Sequence, residues 1–152
     1  MDDPKVASAA ELYDDDFYAW TEAQAAALRE HGRGGNAIDF DRVAEEVEDL
    51  GRSELNACES LTERIIEHLL KLDHAELRTS ERHWRLELAA FHRALLRRLT
   101  PSLQAKLASA LGDRVRAGRR MAAAALSAQD DPGADILPEL PEIEWDRIVA
   151  PD

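Results

Sequence analysis

The sequence predicts an all-α protein: a four-helix bundle with one long central helix and a short C-terminal helix in a proline-punctuated tail. Three observations predict it. Apolar residues recur at helical spacing of three and four through most of the chain. Aromatics are only 5% of a sequence that is 45% hydrophobic, and much of the remainder is alanine and leucine, a mixture that favours packed helices over sheets. The segment AEEVEDLGRSE, Ala44 to Glu54, sets a dense carboxylate cluster against an apolar stripe, as one amphipathic helix requires. At 152 residues the chain is expected to form a single helical domain spanning 1–152.

Taken in order, residues 1–12 carry no pattern and are expected to be a loose lead-in. YDDDFYAW, Tyr13 to Trp20, leads into Thr21 and Gln24, whose spacing is that of a capping box, so the first helix is predicted from Thr21 to about His31. Gly32, Gly34, Gly35 and Asn36 tolerate the left-handed backbone that closes a helix. Asp39 or Asp41 can cap the second helix, predicted to bury Val43, Val47, Leu50, Cys58, Leu61, Ile65, Leu69 and Leu72 along roughly 45 Å. Gly51 interrupts that stripe, so either the helix bends there or another backbone packs close. Cys58, the single cysteine, reads as a small buried filler.

Thr79 and Ser80 punctuate the next boundary, after which Trp84, Leu88, Phe91, Leu95 and Leu99 form the stripe of a third helix. Thr100 and Pro101 suit the N-cap and first position of a fourth, carrying Leu103, Leu107, Leu111, Val115, Gly118, Ala122 and Ala125. The small residues of its second half permit close approach of another helix. Residues 129–152 form an acidic, irregular tail broken by Pro132, Pro138 and Pro141. It leaves room for one short helix near 142–149, whose Trp145, Ile148 and Val149 are expected to pin it to the bundle.

With these segments placed, the chain resembles the bacterial family known as domain of unknown function 29. The resemblance rests on YDDDFYAW, AEEVEDLGRSE, EHLLK (Glu67 to Lys71), Trp84 after a Ser/Arg-containing turn, TPSL (Thr100 to Leu103) and the proline-punctuated end, and it covers most of 13–149. The sequence departs from the family's pattern at Leu72, where an aromatic is expected, and at LPEI (Leu140 to Ile143), where a Cys-Pro-Tyr-like run is expected. The resemblance implies a compact helical bundle and brings no activity with it.

Charge narrows the partners. The formal net charge is −12, but its distribution is uneven: residues 1–76 hold 20 acids and 7 bases, 77–128 hold 3 and 11, and 129–152 hold 8 and 1. A basic segment between acidic ends can pair with its own chain, a second copy or an outside anion. No apolar run approaches the length of a membrane span and the N-terminus lacks the order of a signal peptide, so the expectation is a cytoplasmic protein with no membrane partner.

Candidate chemistry is sparse. Di-iron bundles use Glu-x-x-His, and none of the five histidines has an acid three residues away. A looser metal or small-ligand site could combine His68 and His92 with Glu46 and Asp49. The bland alternative makes each histidine a core-edge residue bonded to a carbonyl or carboxylate. Glu48 and Arg52 are spaced for an i, i+4 pair. Glu46 and Asp49 could also face Arg82 or Arg85 beside Trp84, or a cationic ligand. Asp16 with Trp20 offers an acid and an aromatic one turn apart, which a capping aspartate and a core tryptophan would equally explain. Arg93, Arg97, Arg98, Arg114, Arg116, Arg119 and Arg120 could form a phosphate-binding stripe, but without interleaved aromatics nucleic acid is not the favoured partner. No nucleophile elbow, Cys-His pairing signal or Walker-type loop is present, and no catalytic residue, metal or cofactor is assigned. The expectation is a non-enzymatic interaction module that self-associates as a homodimer. The alternatives are a metal- or small-ligand-binding enzyme and an anion or nucleic-acid binder acting through the arginines of 78–120.

Overall fold

The computed structural model describes residues 8–31 and 38–151, and among them all regular structure is helical. The all-α expectation is met. Among the described residues eight helices stand where four and a tail helix were expected: α1 (Ala9–Asp15), α2 (Phe17–His31), α3 (Phe40–His74), α4 (Glu81–Arg98), α5 (Pro101–Ser109), α6 (Leu111–Ser127), α7 (Gly133–Ile136) and α8 (Trp145–Val149). The glycine-rich stop at 32–36 and the start of the lead-in, 1–7, lie outside the described residues. The chain divides into two compact units, Met1–Ala57 with Thr100–Ala105, and Cys58–Leu99 with Lys106–Asp152.

In the first unit, the supposed lead-in is already helical from Ala9. Ser8 and Glu11 make the capping box: the Glu11 N–H donates to the Ser8 hydroxyl at 3.2 Å and the Ser8 N–H donates to the Glu11 carboxylate at 2.7 Å. The box placed at Thr21 and Gln24 does not form, because Thr21 lies inside α2 with its hydroxyl donating to the Tyr18 carbonyl at 2.7 Å. α3 starts where expected, the Asp39 carboxylate accepting from the Arg42 N–H at 3.0 Å.

The stripe on α3 is rotated from the predicted one. Val43 is 40% and Leu50 54% exposed, while Ala44 and Gly51, each one residue on, are buried in line with the expected Cys58 and Ile65 at steps of seven. Small residues let a neighbour come closer than valine or leucine would, and that closeness decides which edge of the stripe turns inward. At Gly51 the helix is unbroken and the close neighbour is a side chain: an added Cβ would lie 2.2 Å from the Thr21 hydroxyl.

In the second unit, the rest of α3 contributes Thr62, Ile65, Ile66, Leu69 and Leu70 to the core, and α4 contributes Trp84, Leu88 and Leu95. α6 packs on α3 at a glycine, since a Cβ on Gly118 would fall 2.5 Å from Ile66 Cγ2. The small-residue face foreseen as an approach surface is thus occupied by a helix of the same chain.

The predicted fourth helix is two. Thr100 and Pro101 do start α5, with the Leu103 N–H donating to Thr100 Oγ1 at 3.4 Å. It ends at Ser109, whose hydroxyl donates to the Lys106 carbonyl at 2.8 Å, and Gly112 weakens helix continuation just beyond. After α6, Asp130 takes a positive φ of 52° that turns the chain. The tail carries two short helices, and Leu137, Ile143 and Ile148 are buried.

Candidate functional site

The most concentrated polar chemistry is in the second unit, where EHLLK meets α4. Glu67, His68 and Lys71 are 5%, 2% and 4% exposed, and Lys71 lies four residues from Glu67 and three from His68, the spacings that bring side chains together on a helix. Lys71 Nζ donates to Glu67 at 3.0 Å, lies 3.3 Å from His68 Nε2 and sits 5.2 Å over the Trp84 ring. His68 Nδ1 lies 2.8 Å from the Arg64 carbonyl and Nε2 2.8 Å from the Glu87 carboxylate on α4, with Phe91 edge-on to the ring at 5.2 Å. Arg64 reaches Glu67 at 3.1 Å and His83 reaches Glu87 at 3.3 Å from the outside. The bond from His68 holds the Glu87 carboxyl below its ordinary range, against burial. Opposite charges meet in a patch where Glu67, His68, Lys71 and Glu87 each have a partner within the cluster. That is how a polar core locks two helices in register.

His92, on the same helix, is bonded through Nε2 to the Val149 carbonyl at the end of α8. The two histidines considered for a metal are thereby committed to separate partners. Among the described residues no group of three or more His, Cys, Asp or Glu side chains is placed to hold a metal ion. Beside His92, a hollow of about 230 Å³ is lined by Arg85, Leu88, Ala89 and Pro151.

A second buried acid joins loop to helix. Asp131, 3% exposed, accepts from the backbone N–H groups of Glu76 and Leu77 at 3.0 Å each and of Gly133 at 2.8 Å. Burial pushes its carboxyl up, but these donors outweigh it and the net shift is downward. Three of the four arginines of α6 are spent nearby, Arg114 on Glu63 at 2.7 Å and Glu59 at 3.6 Å, Arg116 on Asp113, and Arg119 on the Pro138 carbonyl at 2.9 Å, while Arg120 is exposed. A phosphate-binding stripe shared by two helices loses most of its α6 half to these contacts.

In the first unit, Asp16 is a cap rather than a ligand. Its carboxylate accepts from the Ala19 N–H at 3.0 Å and from the Ser102 N–H and hydroxyl at 2.8 and 2.6 Å, so one residue closes the starts of α2 and α5. Burial opposes ionisation here, and the Ser102 and Ala19 bonds overcome it, leaving the carboxyl below its usual value. Trp20, half-buried, stacks on Phe17 and meets Tyr13 edge-on in an aromatic cluster. Glu48 pairs with Arg29 through a two-bond fork, and Asp49 takes Arg52 at 2.7 Å, so the i, i+4 pair expected between Glu48 and Arg52 is replaced by a longer-range one. Glu46 is exposed. On α4, Arg85 pairs with Glu81 at 2.9 Å, while Arg82 is exposed beside Leu86 in a shallow groove of about 440 Å³.

Sequence inspection missed Glu67, Lys71 and Glu87 as partners of His68. It sought an acid three residues from each histidine, whereas the partners are the adjacent residue, the next-turn lysine and an acid nineteen residues on. The available signal was EHLLK itself, a carboxylate and an ammonium one turn apart amid leucines.

The sequence profile of the family described as Domain of unknown function DUF29 matches residues 12–152. Among solved structures, the chain is similar to an alpha-helical protein of unknown function from Rhodospirillum rubrum, with 28% identity, a TM-score of 0.80, and coverage of 92% of this chain and 90% of that one. No curated protein matches.

Proposed function

The chain belongs to the family described as Domain of unknown function DUF29, and from that premise we propose that it is a non-enzymatic, self-associating interaction module of the cytoplasm. One observation carries the proposal: the outer face of α4 is apolar and basic at once. Leu86 and Leu96 are 63% and 48% exposed, and Arg82, Arg93 and Arg97 stand among them. Large side chains left in water along a well-formed helix cost free energy that a partner recovers by covering them. The polar cluster behind that face supports the same conclusion, because its groups are turned on one another and not toward a cleft. Among the described residues no helix is long and apolar enough to cross a membrane, so a lipid span is not what covers the leucines.

Sedimentation velocity over a concentration series from about 1 to 200 μM tests this, a range chosen to bracket micromolar dissociation constants. A mass that rises with concentration supports the proposal. A constant monomer mass across the range rejects it.

A further inference from the structure

Resting on that self-association, we infer that two copies dock by laying the exposed stripe of α3 in one protomer against the outer face of α4 in its partner. The α3 stripe is Asp39, Val43, Glu46 and Leu50, at steps of four, three and four, which keeps the residues within one helical face. Val43 and Leu50 are 40% and 54% exposed, and the two acids are exposed with them. It is thus apolar and acidic where the α4 face is apolar and basic.

The two patterns also share a register. Run antiparallel, with Glu46 opposite Arg93, the step of three down α3 sets Val43 opposite Leu96, and the step of four sets Leu50 opposite Ala89, next to Leu86. One pairing therefore covers four exposed apolar side chains and neutralises a charge at its centre. Ridges spaced three and four apart on both helices are what close helix packing uses. A protein carrying −12 overall repels its copies at long range, so attachment needs a local patch of opposite sign. α4 supplies that patch and α3 supplies its complement in every copy.

Charge exchange tests the pairing. Glu46→Arg and Arg93→Glu are surface changes, and unaltered circular dichroism verifies that each variant folds. Each alone places like charges opposite each other and is expected to weaken association at least about tenfold. The double variant Glu46→Arg/Arg93→Glu restores an opposite pair and is expected to recover association to within about threefold of wild type. If wild type associates but neither single variant weakens it, or the double variant is weaker than both, the stripe pairing is overturned while self-association stands. A wild-type chain that stays monomeric overturns both. A monomer whose α4 face instead binds duplex DNA, with affinity falling steeply in salt and lost in Arg93→Glu, overturns both in favour of phosphate recognition.

Discussion

Two buried ionic residues show how single side chains organise this protein. Asp16 satisfies donors at two helix starts, one of them at Ser102, 86 residues away in sequence, so its removal is felt at both. A lost cap costs about 1 kcal/mol at one helix, and Asp16→Ala is expected to cost about 2 kcal/mol, read from the urea midpoint at constant slope. Asp16→Asn keeps the acceptor oxygen and is expected to lose less than half as much. An equal loss in both variants would mean that charge, not hydrogen bonding, is what α2 and α5 need. Lys71 behaves differently, because Glu67, His68 and Trp84 all turn toward its ammonium. Lys71→Met fills similar space but leaves the buried Glu67 carboxylate with the outer Arg64 and, at 4.0 Å, His68, and is expected to cost about 3 kcal/mol. In Lys71→Met/Glu67→Gln the stranded charge is gone, so that double variant is expected to be more stable than Lys71→Met alone.

At the scale of elements, glycine and serine decide how closely helices approach and where they stop. Gly118 lies against Ile66 with no room for a methyl group, its Cβ position also 3.0 Å from the Glu63 carbonyl. Gly118→Ala should therefore lower the thermal midpoint, by about 1–3 kcal/mol of overpacking against a gain in helix propensity of about 1 kcal/mol. A rise in midpoint would show that α6 can slide along α3 at little cost. These contacts also explain which parts of the fold the sequence reveals. The third helix and the second half of the long one were legible because large residues, Trp84, Leu88, Ile65 and Leu69, mark the buried face. In the first half of α3 the bulky residues lie one position out of phase with the buried face, because Ala44 and Gly51 are buried for their smallness and bulk does not mark them. The Ser8 to Glu11 capping box was visible in the letters but lay in a stretch without apolar period. The break after Ser109 coincides with a hydroxyl bond to the Lys106 carbonyl and with Gly112 just beyond, neither of which the apolar spacing reveals. The polar cluster was half legible: EHLLK stood out as a motif, but its partner Glu87 comes from tertiary packing.

Across the whole molecule, the carboxylates link stability to pH. Asp16 and Asp131 are held below their ordinary values by hydrogen bonds that exceed the effect of burial, and Glu87 is held down chiefly by His68. A group whose folded pKa is depressed binds its proton more readily when unfolded, so its contribution is present above the unfolded value, about 3.9 for Asp and 4.3 for Glu. That contribution is lost as pH falls through the lower folded value. Stability is therefore expected to be flat in these groups between about pH 7 and 5, and to drop steeply below about pH 4. Thermal midpoints taken at half-unit intervals should show the drop. The double variant Asp16→Asn/Asp131→Asn removes two of the groups responsible, so its curve should start lower at pH 7 and fall less sharply in acid. Both curves falling in parallel would assign the acid sensitivity to carboxylates elsewhere. Asp16 lies in the first unit and Asp131 in the second, and unequal flattening in the two single variants would identify which carboxylate carries more of the acid sensitivity.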